Sequence, residues 1–209
     1  MIGILGKKVG MTQVYDEKGK LCPVTVVEAL PSSVLTVRSK EKNGYCAIQL
    51  GIVDFKKKTK NSPGKKFIRE VKVDEGHSYK AGDVINADVF SVGDFVDIVA
   101  SSKGKGFQGG MKRWGWSGGE GGHGSMHHRR IGSIGASSFP SRVHRGKTMP
   151  GHMGNKTRTV QNLMIMSVDK ENNIMAVNGS VPGHNGTFLM IKEAIKKPRK
   201  QEKKDEANK

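Results

Sequence analysis

The chain has 209 residues, 35% of them hydrophobic, a formal net charge of +17 and a pI of about 9.9. That length supports one substantial core, or one core with a small annex, and the charge calls for an anionic partner, nucleic acid ahead of a membrane surface. No apolar run approaches a membrane span of roughly 20 residues, the N-terminal MIGILGKKVGMTQVYDEKGK has no long apolar region of a secretory signal, and Cys22 and Cys46 are too few for a disulfide framework or a four-thiolate zinc site, so a cytosolic chain with reduced thiols is expected.

In chain order, the first predicted elements are strands over 9–15 and 24–30, joined by the turn residues Asp16-Glu-Lys-Gly19. Strands are also predicted over 34–38, 45–53, 67–73, 84–90 and 95–99, then over 160–168, 174–178 and 187–191, with Asp169–Asn173 as a second hairpin loop. These runs are short, rich in β-branched residues and separated by turn residues, which favours a barrel or sandwich. No segment reads clearly as a helix, and no internal repeat is found.

Between the two sets of strands lies different material. Residues 103–159 carry eleven Lys/Arg against one acid, Glu120, and hold fifteen of the 28 glycines, both tryptophans and five of the seven histidines, with no leucine or aspartate. An insertion of this length is usually functional or disordered. A flexible linker is one reading. Phe107, Trp114, Trp116 and Phe139 favour another, because disordered linkers are poor in aromatics. Glycine permits close backbone approach, arginine forks phosphate oxygens and aromatic faces stack on unpaired bases, so the segment reads as one that orders against nucleic acid.

Three motifs tempt and fail. Gly104-Lys-Gly106-Phe-Gln-Gly109 matches G-x-G-x-x-G, but GMKRWGWSGG does not read as a helix and no acid stands about 20 residues on. Arg145-Gly-Lys-Thr148 resembles the end of a P-loop, but Ser141 occupies the place of the first glycine and Pro150-Gly151 interrupts any helix. His123, His127 and His128 have the chemistry of zinc ligands, but the basic residues crowding them disfavour a divalent cation. Catalysis needs a base oriented by an acid, and the segment holds one acid.

The stretches 2-IGILGKKVGMTQVY-15, 101-SSKGKGFQGGMKRW-114, 132-GSIG-135, 142-RVHRGKTMPGHMGN-155, 159-TVQNL-163 and 177-VNGSVPGHNG-186 resemble, in order, the bacterial ribosomal large-subunit protein number three family. The resemblance covers nearly the whole chain to about residue 195. It implies a mainly β fold: a translation-protein-type β-barrel formed by 1–102 and 160–191, with a small α/β annex about 54–80. It implies that 103–159 is a long Gly/Arg/Lys-rich, non-globular extension threading between RNA helices toward the peptidyl transferase centre. The tail 192–209 reads as basic and disordered.

The function so implied is that of a structural constituent of the large ribosomal subunit. Such a protein binds 23S-type ribosomal RNA near its 3′ end, acts early in assembly and meets neighbouring large-subunit proteins in the cytoplasmic ribosome. Enzymatic activity, cofactor, metal, membrane and small-molecule substrate are not expected. The expected RNA contacts are Lys103, Lys105, Lys112, Arg113, Trp114, Trp116, His127, His128, Arg129, Arg130, Arg142, His144, Arg145, Lys147, His152, Asn155, Lys156 and Arg158. Two limbs of the extension should run inward and back, so that the residues nearest the catalytic RNA cluster at 114–116 and around 144–155. Gly151 and Gly154 would let backbone pass close to RNA, unless His152 packs on the opposite limb. The chain departs from relatives that carry a side-chain-methylated glutamine where it has His152. Its 54-DFKKKTKNSPGKK-66 is also shorter than the corresponding segment of many relatives. The alternatives are a nucleoid-type DNA-compacting protein and a nucleotide-binding enzyme using 104–109.

Overall fold

The computed structural model describes residues 3–16, 18–54, 64–74 and 78–198. Its elements are β1 (Gly3–Tyr15), β2 (Leu21–Glu28), β3 (Ser32–Arg38), α1 (Lys40–Asn43), β4 (Ala47–Asp54), β5 (Lys65–Lys72), β6 (Val84–Ile85), β7 (Phe95–Ser101), β8 (Phe107–Gln108), α2 (Gly110–Trp114), β9 (Gly151–His152), β10 (Thr157–Asp169), β11 (Ile174–Asn178) and β12 (Phe188–Glu193). Two compact units separate by contact, Lys103–Lys156 and the residues on either side of it.

In the larger unit, six antiparallel strands close a barrel in the order β1-β12-β7-β10-β11-β2. Register shifts at Lys8/Gly10, Val160/Leu163 and Ile165/Ser167 bend the strands, as closure requires. The barrel is filled by Ile4, Val27, Val96, Ile98, Ile165, Met175, Val177, Leu189 and Ile191, all fully buried.

The flanking strands do not all belong to this barrel. Those expected at 34–38, 45–53 and 67–73, with two residues of that at 84–90, form a separate four-stranded sheet, β5-β4-β3-β6. This sheet replaces the expected α/β annex. It spans 32–85 rather than 54–80, and its helix, α1, has only four residues. Residues 55–63 and 75–77 of the expected annex lie outside the described residues.

The sheet has its own core of Leu5, Val34, Ile48, Leu50, Ile52, Val71 and Ile85. Successive side chains of a strand point to opposite faces. On β1, Ile4 therefore enters the barrel and Leu5 the sheet core; on β12, Leu189 and Ile191 enter the barrel while Phe188 and Met190 pack on the sheet. Two strands thus form walls common to both cores.

Two polar side chains tie down irregular backbone. The buried Lys8 ammonium donates to the carbonyls of Val181 (2.7 Å) and Gly183 (3.3 Å). The buried Asp97 carboxylate accepts from the amides of Asn162 (3.0 Å) and Ile195 (3.5 Å). The tail expected from residue 192 therefore starts too early. Lys192 and Glu193 belong to β12, Ala194 is buried and donates its amide to Phe95, and Lys197 lies 4.4 Å from the Phe95 ring. Residues 199–209 lie outside the described residues.

Candidate nucleic-acid interface

The unit 103–156 is held by backbone bonds rather than by a hydrophobic core. Its two ends run antiparallel. Phe107 stands opposite His152 and Gln108 opposite Gly151. The pairing continues outward: the Lys105 amide donates to Met153, the Met153 amide to Gly106 (both 2.9 Å) and the Asn155 amide to Lys103 (3.4 Å). Two residues, Lys105 and Gly106, thus oppose one, a bulge, with Gly106 at φ +63°. A Cβ on Gly154, which has φ +75°, would lie 2.1 Å from the Lys103 carbonyl oxygen. The close approach that Gly154 permits is therefore to its own opposite limb.

Past the ribbon, a single helical turn, α2, carries the tryptophans against the returning chain. This short helix was not expected from GMKRWGWSGG; its five residues are too few for periodicity to register. The Trp114 indole N–H donates to the Met149 carbonyl (2.8 Å), the Arg113 guanidinium donates to the same carbonyl (2.6 Å), and the Trp116 indole N–H donates to the Thr148 hydroxyl (3.3 Å). Arg113 also stands 5.0 Å from the Trp114 ring. Trp116 packs against Gly110, where a Cβ would fall 1.8 Å from its ring. Gly110 is the one buried residue of the unit.

Residues 118–135 form a loop cluster whose Gly118 lies against the Met111 side chain. The Gly119 amide donates to His128 (2.6 Å), the Arg130 amide to His127 (2.8 Å), and His128 Nδ1 stands 3.1 Å from the Glu120 carbonyl. The half-buried His127 ring packs on Gly119 and Gly132. Among the described residues, no three His, Cys, Asp or Glu side chains are grouped to hold a metal ion.

The structure thus brings Arg113, Trp114 and Trp116 together with 148–151, and pairs Lys103, Lys105 and Asn155 across the ribbon. His127, His128, Arg129 and Arg130 belong to the loop cluster, and Arg142, His144, Arg145 and Lys147 lie exposed on the returning segment. Lys112, His152 and Lys156 are exposed. Arg158 stands apart: it is in β10, opposite Ala100, because that strand starts at Thr157. Sequence reasoning left Phe107 out of the contact set, although it is 77% exposed. The signal was present as a phenyl group set between glycines in a lysine-rich run.

Chemically, the unit offers ten Lys/Arg against the single carboxylate of Glu120. Lys105–Gln108 is paired with the opposite limb, and among the described residues no carboxylate is bonded to a histidine of the unit. The class defined here is a basic, mainly β protein whose barrel carries an inserted cationic unit poor in core.

The family model described as Ribosomal protein L3 matches residues 70–173, from β5 through the loop that ends β10. Similar proteins include the large ribosomal subunit protein uL3 of Brachyspira hyodysenteriae, 44% identical over 96% of this chain and 98% of that protein. The protein of the same name from Geotalea daltonii is 46% identical over 93% and 97%, and that from Oenococcus oeni is 46% identical over 93% and 82%. The chain belongs to the ribosomal protein L3 family. This is a family of structural proteins and not of enzymes.

Proposed function

We propose that the chain is a structural constituent of the large subunit of the cytoplasmic ribosome, and that unit 103–156 is its principal contact with large-subunit ribosomal RNA. The observation that carries this reading is the unit's make-up: ten cationic side chains, one carboxylate and one buried residue. A segment that buries so little against itself gains its stability from a partner, and the partner that answers this charge is a polyanion. The resemblance extends the reading to a barrel of the translation-protein type, an RNA site near the 3′ end, a role early in assembly, neighbouring large-subunit proteins and an approach of the unit to the peptidyl transferase centre. The DNA-compacting alternative draws no support from the family match, and it leaves the two-core β unit without a purpose.

Sedimentation of lysate tests the reading. The chain should migrate with large subunits and leave that fraction after RNase treatment. Migration with bulk DNA, or free migration at low salt, overturns it.

A further inference from the structure

We propose that the open face of the β8–β9 ribbon, where Phe107 and His152 stand side by side, is a stacking platform for an unpaired nucleobase. The inference rests on the RNA-binding reading and adds a contact of a different physical kind. The ribbon has two unlike faces. On one, Arg113 occupies the space where a Gly151 side chain would point, since a Cβ there would lie 2.7 Å from its guanidinium. Neighbouring residues of a strand face opposite ways, so His152 points to the other side.

Phe107 is the direct cross-strand partner of His152 and shares that face. Both side chains are exposed, Phe107 at 77%. The bonds from Lys105 to Met153 and from Met153 to Gly106 hold the platform's backbone, so a ligand meets two rings on a backbone already ordered.

Charge identifies the occupant. Lys103, Lys105 and Lys112 lie within five residues of Phe107, and the nearest carboxylate in sequence is the buried Asp97, ten residues away. An apolar protein partner gains nothing from that field, whereas a nucleic-acid strand supplies phosphates for the lysines and a π-face for the phenyl ring. An unpaired base is required, because bases within a duplex are stacked on each other.

The test is equilibrium binding of the full chain to a transcript of complete large-subunit ribosomal RNA across a potassium chloride series. Phe107→Ala should weaken binding by about 5- to 150-fold, the value of one base stack. The log–log salt slope should not change, because no phosphate contact is lost. Phe107→Trp should bind as the wild type does, and Phe107→Leu should behave as Phe107→Ala. Ultraviolet crosslinking of the wild type should place an RNA adduct on the peptide containing Phe107, a readout independent of any variant's folding.

Wild-type binding by Phe107→Leu overturns the proposal and indicates an apolar seat such as a neighbouring protein. So does a flat variant series, an altered slope or a missing adduct. In each of those cases the RNA-binding reading survives if the wild type still binds the transcript. If the wild type shows no preference for the transcript, both readings fall.

Discussion

Gly154 and Lys103 meet backbone to backbone: a Cβ on the glycine would lie 2.1 Å from the lysine carbonyl oxygen, which also accepts the Asn155 amide. Nothing in that contact is able to yield, since a carbonyl oxygen cannot rotate away without breaking the limb pairing. At Gly151 the obstacle is the guanidinium end of Arg113, a flexible group. The two glycines of the G-H-M-G stretch therefore have different duties.

Gly154→Ala should open the ribbon. The left-handed φ alone costs a non-glycine residue about 1–2 kcal/mol, and the collision adds to it. Hydrogen exchange should accelerate at the amides of Lys105, Met153 and Asn155 and stay unchanged at barrel amides such as Ile98 and Leu189. Gly151→Ala should leave all five as they are. Equal exchange in the two variants sinks this distinction.

Replacing residues 102–156 by a short Asn-Gly turn should yield a protein that still melts cooperatively. Ser101 and Thr157 are antiparallel partners in β7 and β10, so their Cα atoms are about 4.5–5.5 Å apart and a tight turn bridges them. The observable is a single thermal transition by circular dichroism with β-type signal. Loss of that transition shows that the insert is needed for the two cores.

Arg129 and Arg130 should titrate with salt where Arg113 does not. Both are exposed in the loop cluster, whereas the Arg113 guanidinium is bonded to the Met149 carbonyl. Removing Arg129 and Arg130 together should make the log–log salt slope of RNA binding shallower by about 1.4 to 1.8, the counterions of two phosphates. Arg113→Ala should instead loosen 148–151, seen as faster proteolysis there. An unchanged slope for the double variant places that pair away from phosphate.

Asp169 should make its hairpin sensitive to acid. Its carboxylate accepts from the Asn172 side-chain amide (2.7 Å) and from the Asn172 and Glu171 backbone amides (3.2 and 3.1 Å), which hold its pKa below the ordinary value. A depressed folded pKa stabilises above the unfolded pKa and ceases to do so as pH falls through the folded one. The melting temperature of wild type should therefore exceed that of Asp169→Asn at neutral pH, by a small margin because the site is exposed, and the gap should close below the carboxylate range. A gap constant with pH shows that the charge is immaterial.

Much of the strand pattern could be read from local chemistry. The segment 174–178 emerges unchanged as β11, and β1 pairs with β2 across the expected hairpin connection, where the Gly19 amide donates to Asp16. Local patterns carry less about partners. Val34, Ile48 and Val71 look no different from Val27, Ile98 and Val177, yet the first three fill the sheet core and the others the barrel. Gly3–Gly6 escaped notice as strand because the segment is buried on both faces and so shows no alternation. In the insert, composition announced a cationic unit. The seat of Trp116 on Gly110 and the seam from Lys105 to Met153 depend on contacts between residues far apart in sequence, which composition does not encode.

The walls shared by barrel and sheet impose an order on biosynthesis. Residues 3–7 pair with 188–192, and Leu5 and Met190 both pack on the sheet. The strand made near the start must wait for one made near the end before either core is sealed. Such long-range closure is intrinsically slow. Until then β1 has one unpaired edge, open to wrong strands. All of the cationic residues from 103 to 156 are synthesised within that interval, so the nascent chain presents its polyanion-seeking segment before its own barrel can shut.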